Sequence, residues 1–108
     1  MRVALAQINT TVGDIAGNLE LVRAAYLAAR ARGADLVVTP ELALAGYTPR
    51  DLLERPGFAR ACRVALERLA GITCDGGVLL VGTVEPRQAT VGRRVANAAA
   101  LLQGGVVQ

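Results

Sequence analysis

Glu41 is the side chain in this sequence with the strongest credentials for chemistry. It stands directly behind Pro40, at the end of the apolar run Asp35 to Thr39 (DLVVT) and ahead of a turn-rich stretch, Leu42 to Glu54 (LALAGYTPRDLLE). A short apolar run closed by proline reads as a buried strand, and in open α/β sheets ligands bind beyond the carboxyl ends of the strands. A carboxylate placed there under a long loop is partly desolvated and becomes a better proton acceptor, which is what a general base requires. On position alone the plainer reading is preferred, a carboxylate that caps a nearby loop by hydrogen bonding.

The rest of the inventory narrows the chemistry by what it lacks. The chain of 108 residues contains no His and no Lys, and its formal charge of +3 comes from arginine alone. No Cys-His or Ser-His couple, histidine metal ligand or lysine oxyanion partner can be assembled from these residues. Cys62 and Cys74 are separated by eleven residues, which matches no zinc or redox spacing. Cys62 falls on the apolar side of a predicted helix, a poor place for a nucleophile that must reach substrate, and Cys74 falls in a turn. Both are expected to be small core residues.

The arginines are scattered among Glu20, Glu54 and Glu67 on helix faces that meet water, so the basic stripe of a nucleic-acid binder is missing. The apolar runs fall short of the roughly 20 residues of a membrane span, and polar Gln7 comes too early for a signal peptide. A cytoplasmic protein with no nucleic-acid or membrane partner is expected. Gly76-Gly77 and Gly104-Gly105 lack the spacing and the following helix of a phosphate-cradling loop.

The elements that must position Glu41 follow from the hydrophobic pattern. Arg2 to Ile8 (RVALAQI), Asp35 to Thr39 and Val78 to Val84 (VLLVGTV) are expected to be parallel strands buried on both faces. Between the first two, Leu19, Val22, Tyr26 and Ala29 recur at helical spacing, with Asn18 as the expected cap and Gly33 as the stop. A second helix runs from Gly57 to about Ile72, with Phe58, Cys62, Ala65 and Leu69 inward; on its outer side Arg63 and Glu67 stand one turn apart. The stretch before it, Leu42 to Glu54, should be a loop with one helical turn around Asp51. Val95 to Leu102 (VANAAALL) reads as a fourth strand, and Gln103-Gly104-Gly105 as a hairpin turn into Val106-Val107-Gln108. The class is α/β, a mostly parallel sheet in β-α-β-α-β-β order. A chain of this size buries about two thirds of its unfolded surface, enough for one modest domain or part of a larger one.

Met1 to Asn9 (MRVALAQIN), Val12 to Asn18 (VGDIAGN) and Gly33 to Tyr47 (GADLVVTPELALAGY) form an ordered series that resembles the nitrilase superfamily of carbon-nitrogen hydrolases. Val95 to Gly105 (VANAAALLQGG) looks like that family's Asn-containing strand and hairpin, so the resemblance spans the chain. Gly46 to Leu53 (GYTPRDLL) is most similar to the corresponding segment of the amidase domain of glutamine-dependent NAD synthetases, with Thr48 in place of the commoner proline. The resemblance implies an αββα sandwich with a Glu-Lys-Cys catalytic set, of which Glu41 matches the general base. Tyr47 lies where the synthetases place a tyrosine near the glutamine pocket; packing under the loop explains it equally well. Asn97 is expected to bond across to a neighbouring strand.

Residues 1–108 would then be the N-terminal part of a glutamine amidase domain, truncated before the lysine and the cysteine and inactive alone. Glutamine would be the substrate of the complete domain and the parent a homo-oligomer. No cofactor is expected in this piece, and ATP with Mg belongs to the absent synthetase domain. A stand-alone amidase acting on another small amide is the rival within the superfamily, and a non-catalytic α/β association module is the rival outside it. The piece is expected to fold poorly by itself, because the family sheet packs on a second sheet and its apolar surfaces would be left open.

Overall fold

The computed structural model describes residues 1–46, 55, 57–86 and 95–108, with backbone only at residues 86 and 95–97. The expected loop with a helical turn around Asp51 therefore lies largely outside the described residues, as do Tyr47 and the side chain of Asn97. The element order is β1 (Val3–Leu5), α1 (Ile15–Ala31), β2 (Leu36–Val38), α2 (Phe58–Ala70), a 3-10 turn (Gly71–Asp75), β3 (Val78–Pro86), β4 (Val95–Gln103) and β5 (Val106–Val107).

One five-stranded sheet runs in the order β1-β2-β3-β4-β5. The first three strands are parallel, in a register that aligns Leu5 with Val38 and Val38 with Leu80. The long β3–β4 pair is antiparallel and sets Leu80 opposite Leu101 and Gly82 opposite Ala99. Gly104 and Gly105 both take positive φ, 64° and 84°, as a two-residue hairpin turn matched to strand twist requires.

The strands expected to be buried on both faces are covered on one only. Both crossovers, β1 to β2 and β2 to β3, step the same way across the sheet, so crossovers of one hand drop α1 and α2 on the same side. There Val22 and Tyr26 of α1 and Ala65, Leu66 and Leu69 of α2 pack on Val37, Leu79, Val81 and Leu102. The alternate row points the other way and is only partly covered among the described residues: Val3 is 51% exposed, Leu5 74% and Leu101 37%, whereas Val84, near the end of β3, is 1% exposed. An apolar run reads alike for one covered face or two, and the alternation was hidden because both rows are aliphatic.

Each helix forms for local reasons. Asp14 caps α1 by accepting from the Gly17 N–H at 3.0 Å. Asn18, the expected cap, instead lies inside α1 and is fully buried. In α2, Phe58, Cys62, Ala65, Leu66 and Leu69 repeat every three to four residues on the buried side, and Arg68 in the last turn complements the helix dipole. Arg63 and Glu67 pair at 3.1 Å on the exposed side, a contact of a few tenths of a kcal/mol.

Two polar ties close the packing. The Tyr26 hydroxyl donates to Asp75 at 2.6 Å, and Arg30 reaches the same carboxylate at 2.9 Å, so α1 is pinned to the turn that feeds β3. The buried Thr73 hydroxyl donates to the Ala70 carbonyl and accepts from the Gly105 N–H at 3.1 Å, joining the end of α2 to the β4–β5 turn.

Candidate functional site

Glu41 follows β2 by three residues, in a segment whose backbone is held from several directions. Thr39 extends the β2–β3 ladder, its N–H donating to the Leu80 carbonyl at 3.0 Å. Its hydroxyl accepts from the Gly82 N–H at 3.1 Å. Leu44 then donates to the Gly82 carbonyl at 3.2 Å, so residues 40–43 arch over one point of β3.

That arch exists because position 82 has no side chain. A Cβ there would stand 2.5 Å from the Leu42 nitrogen and 3.0 Å from the Glu41 carbonyl carbon, and would also strike the Pro40 carbonyl oxygen. Just beyond Glu41, Leu42 takes φ 54°, the non-glycine residue with positive φ among those described. Such a conformation costs about 1–2 kcal/mol. It is held by the Gly46 N–H, which donates to the Leu42 carbonyl at 2.8 Å, and by burial of the Leu42 side chain with Ala45, Phe58, Cys62 and Val84.

Behind the arch lies the residue that the sequence pattern misassigned. The side-chain amide of Asn18 donates to the Leu44 carbonyl at 2.9 Å and to the Thr11 carbonyl at 2.8 Å, while its oxygen accepts from the Thr11 N–H at 2.8 Å. The Gly13 N–H adds a bond of 2.9 Å to the Ala45 carbonyl. One buried amide thus fastens the loop after β1 to the segment after β2. Its spacing, four residues before Val22 and eight before Tyr26, was a usable signal: it places a polar group on the buried stripe, where it must be bonded.

Glu41 borders an open cleft of about 280 Å3, lined also by Val38, Thr39, Leu80, Gly82 and Ala99. By strand register, Val38, Leu80, Gly82 and Ala99 belong to the uncovered row, so the cleft opens on the bare side of the sheet. The partial desolvation expected of Glu41 is not observed: the residue is exposed. The physical reason is the same bare face, which offers a floor for the cleft and no roof among the described residues.

Neither cysteine joins this site. Cys62 is fully buried within the α2 packing, and burial, with a smaller contribution from Glu85, pushes its thiol up to about 11. Such a thiol is inert at neutral pH. Cys74, expected in the core, is instead exposed, because it sits in the 3-10 turn beside Gly105 near the other end of the sheet. No three Asp, Glu or Cys side chains come together as metal ligands among the described residues. No helix among them is long and apolar enough to cross a membrane.

The family model described as carbon-nitrogen hydrolase matches residues 2–106. The glutamine-dependent NAD(+) synthetase of Synechocystis sp. is 44% identical over 111 residues, covering 98% of this chain and 20% of the relative. Among solved structures, the glutamine-dependent NAD+ synthetase of Acinetobacter baumannii aligns with a TM-score of 0.86 at 30% identity, over 97% of this chain and 19% of that one. A mutant amidase from Nesterenkonia sp. AN1 aligns with a TM-score of 0.81 at 31% identity, over 100% of this chain and 40% of that one. Its structure shows the acetamide moiety of fluoroacetamide added covalently at the active-site cysteine. The chain spans about a fifth of the length of the curated synthetases it matches.

Proposed function

Because this chain belongs to the carbon-nitrogen hydrolase family, we propose that it contributes the general base, Glu41, to a glutamine amidase that supplies ammonia to an NAD synthetase. The observation that carries this reading is the placement of Glu41: a carboxylate on a braced arch at a strand end, beside a cleft on the side of the sheet left open by both helices.

In this reaction the Glu41 carboxylate accepts the proton of a cysteine thiol, and the thiolate attacks the amide carbon of glutamine. The tetrahedral intermediate collapses as ammonia leaves with a proton, giving a thioester that water hydrolyses to glutamate. A lysine stabilises the oxyanion of both tetrahedral species. This sequence contains no lysine, and its two cysteines stand in the wrong places, so both groups come from further along the complete protein. Residues 1–108 by themselves are then inactive. ATP with Mg serves the synthetase part of that protein, where the ammonia is consumed. Tyr47 is assigned to the rim of the glutamine pocket, on the resemblance of its segment to the synthetases.

A second reading, a stand-alone amidase for another small amide, is favoured by the match to the Nesterenkonia enzyme over the whole of this chain. One experiment separates the two. In the full-length protein, Glu41→Gln should lower glutamine-dependent NAD formation by about 10²–10⁴-fold, the usual contribution of a general base, and leave ammonia-dependent NAD formation intact. Unchanged glutamine-dependent turnover would overturn the role of Glu41. Amide hydrolysis with no NAD formation from either nitrogen source would favour the stand-alone amidase.

A further inference from the structure

Resting on that reading of Glu41, we propose that Thr39 and Gly82 are positioning residues for the general base. Thr39 fixes where β2 ends: its N–H continues the ladder to Leu80, and its hydroxyl, accepting from the Gly82 N–H at 3.1 Å, occupies the next donor on β3. The same hydroxyl lies 3.3 Å from the Leu80 carbonyl oxygen, to which it can donate. The strand therefore stays docked until the residue before Pro40 and then leaves abruptly. Gly82 supplies the complementary feature, an empty Cβ position into which the Pro40–Leu42 backbone settles, with the Leu42 nitrogen 2.5 Å and the Glu41 carbonyl carbon 3.0 Å from where a methyl would sit.

The two effects act on one short length of chain. The Thr39 hydroxyl pulls the arch toward β3, and the notch at Gly82 determines how closely it approaches. Leu42, with φ 54°, takes up the resulting turn immediately after the carboxylate. Gly82 has no side chain and the Thr39 hydroxyl is engaged with the Gly82 N–H and the Leu80 carbonyl, so their contribution is the placement of the Glu41 carboxylate relative to the thiol. Displacing a catalytic group by about 1 Å costs roughly 100-fold in rate.

The test uses the full-length protein and measures glutamine hydrolysis in Thr39→Val, Thr39→Ser, Gly82→Ala and, as reference, Glu41→Gln. Valine keeps the shape of threonine and removes the hydroxyl, so Thr39→Val should lower kcat roughly 10- to 100-fold with KM within about twofold. Serine restores the hydroxyl, so Thr39→Ser should recover kcat to within about threefold of the parent. Gly82→Ala should lose at least as much kcat as Thr39→Val; should it fail to fold, the threonine pair still decides. A Thr39→Val protein with parental kcat, or a Thr39→Ser protein as impaired as Thr39→Val, would overturn the proposal while leaving the base in place if Glu41→Gln is inactive. An active Glu41→Gln protein would instead remove the base itself, and the positioning role with it.

Discussion

The side-chain amide of Asn18, fully buried in the first turn of α1, donates to the backbone carbonyl of Leu44, three residues beyond Glu41. This bond runs from the first crossover to the segment that follows the second strand, so the helix nearest the N-terminus braces the backbone around the candidate base. Its three hydrogen bonds satisfy the Leu44 carbonyl and both backbone polar groups of Thr11.

Replacing Asn18 by leucine should therefore cost more than a surface change. The substitution strips partners from backbone groups that are wholly or partly buried, at about 1–3 kcal/mol for each one left unsatisfied. An overall loss of about 2–3 kcal/mol, read as a fall of roughly 5–10 °C in the unfolding midpoint of the protein, is expected. A midpoint within one degree of the parent would show that the Thr11 and Leu44 groups find water instead.

The tie between Tyr26 and Asp75 predicts a pH dependence at both extremes. The hydrogen bond from Tyr26, with smaller help from Arg30 and the Gly77 N–H, holds Asp75 down at about 2 against an ordinary 3.8. A carboxylate depressed on folding stabilises above its unfolded value, so this contribution is lost as pH falls from about 4 toward 2. Burial and the neighbouring carboxylate push the Tyr26 phenol up to about 12 from 10.0, so its contribution is complete below pH 10 and is lost as pH rises through 12. Tyr26→Phe should flatten both limbs and cost about 1 kcal/mol, a modest figure because the Asp75 side chain is 42% exposed. Unfolding followed across pH in parent and variant checks this; superimposable pH profiles would refute it.

Thr83 offers a change in the opposite direction. Its hydroxyl is fully buried on β3 and has no hydrogen-bond partner among the described residues. Thr83→Val keeps the volume and removes the orphaned oxygen, so it should stabilise by about 1 kcal/mol. Calorimetry should show the melting point rising by a few degrees; a fall would mean that the hydroxyl bonds to a group outside the described residues.

The uncovered row of the sheet predicts how residues 1–108 behave when produced by themselves. With Leu5 74% exposed and Val3 and Val106 each more than half exposed, the isolated piece should bind a hydrophobic dye and unfold over a broad range of temperature. A monomer with one sharp calorimetric transition and no dye binding would contradict this.

The order of the elements was legible in the sequence because each strand is a short aliphatic run and each helix repeats its buried residues at three to four. The inward set expected on α2, Phe58, Cys62, Ala65 and Leu69, is buried, and Leu66 and Ala70 are buried with it. What the pattern hid has two physical causes. The first is degeneracy: Val3, Ala4 and Leu5 are all apolar, so nothing in them distinguishes the row that meets the helices from the row that does not. The second is distance in sequence. The Thr39–Gly82 bond spans 43 residues and the Asn18–Leu44 bond 26, and neither partner's residue type announces the other. The placement of Glu41 just past the end of a strand was legible from Pro40 and the run before it, whereas its exposure depends on what lies across the sheet and so could not be read locally.

That bare row carries one more implication. The Glu41 cleft and the unprotected aliphatic side chains share a single surface, so any element that settles on it dehydrates both at once. Closure of the hydrophobic interior and removal of water from the cleft are then the same event.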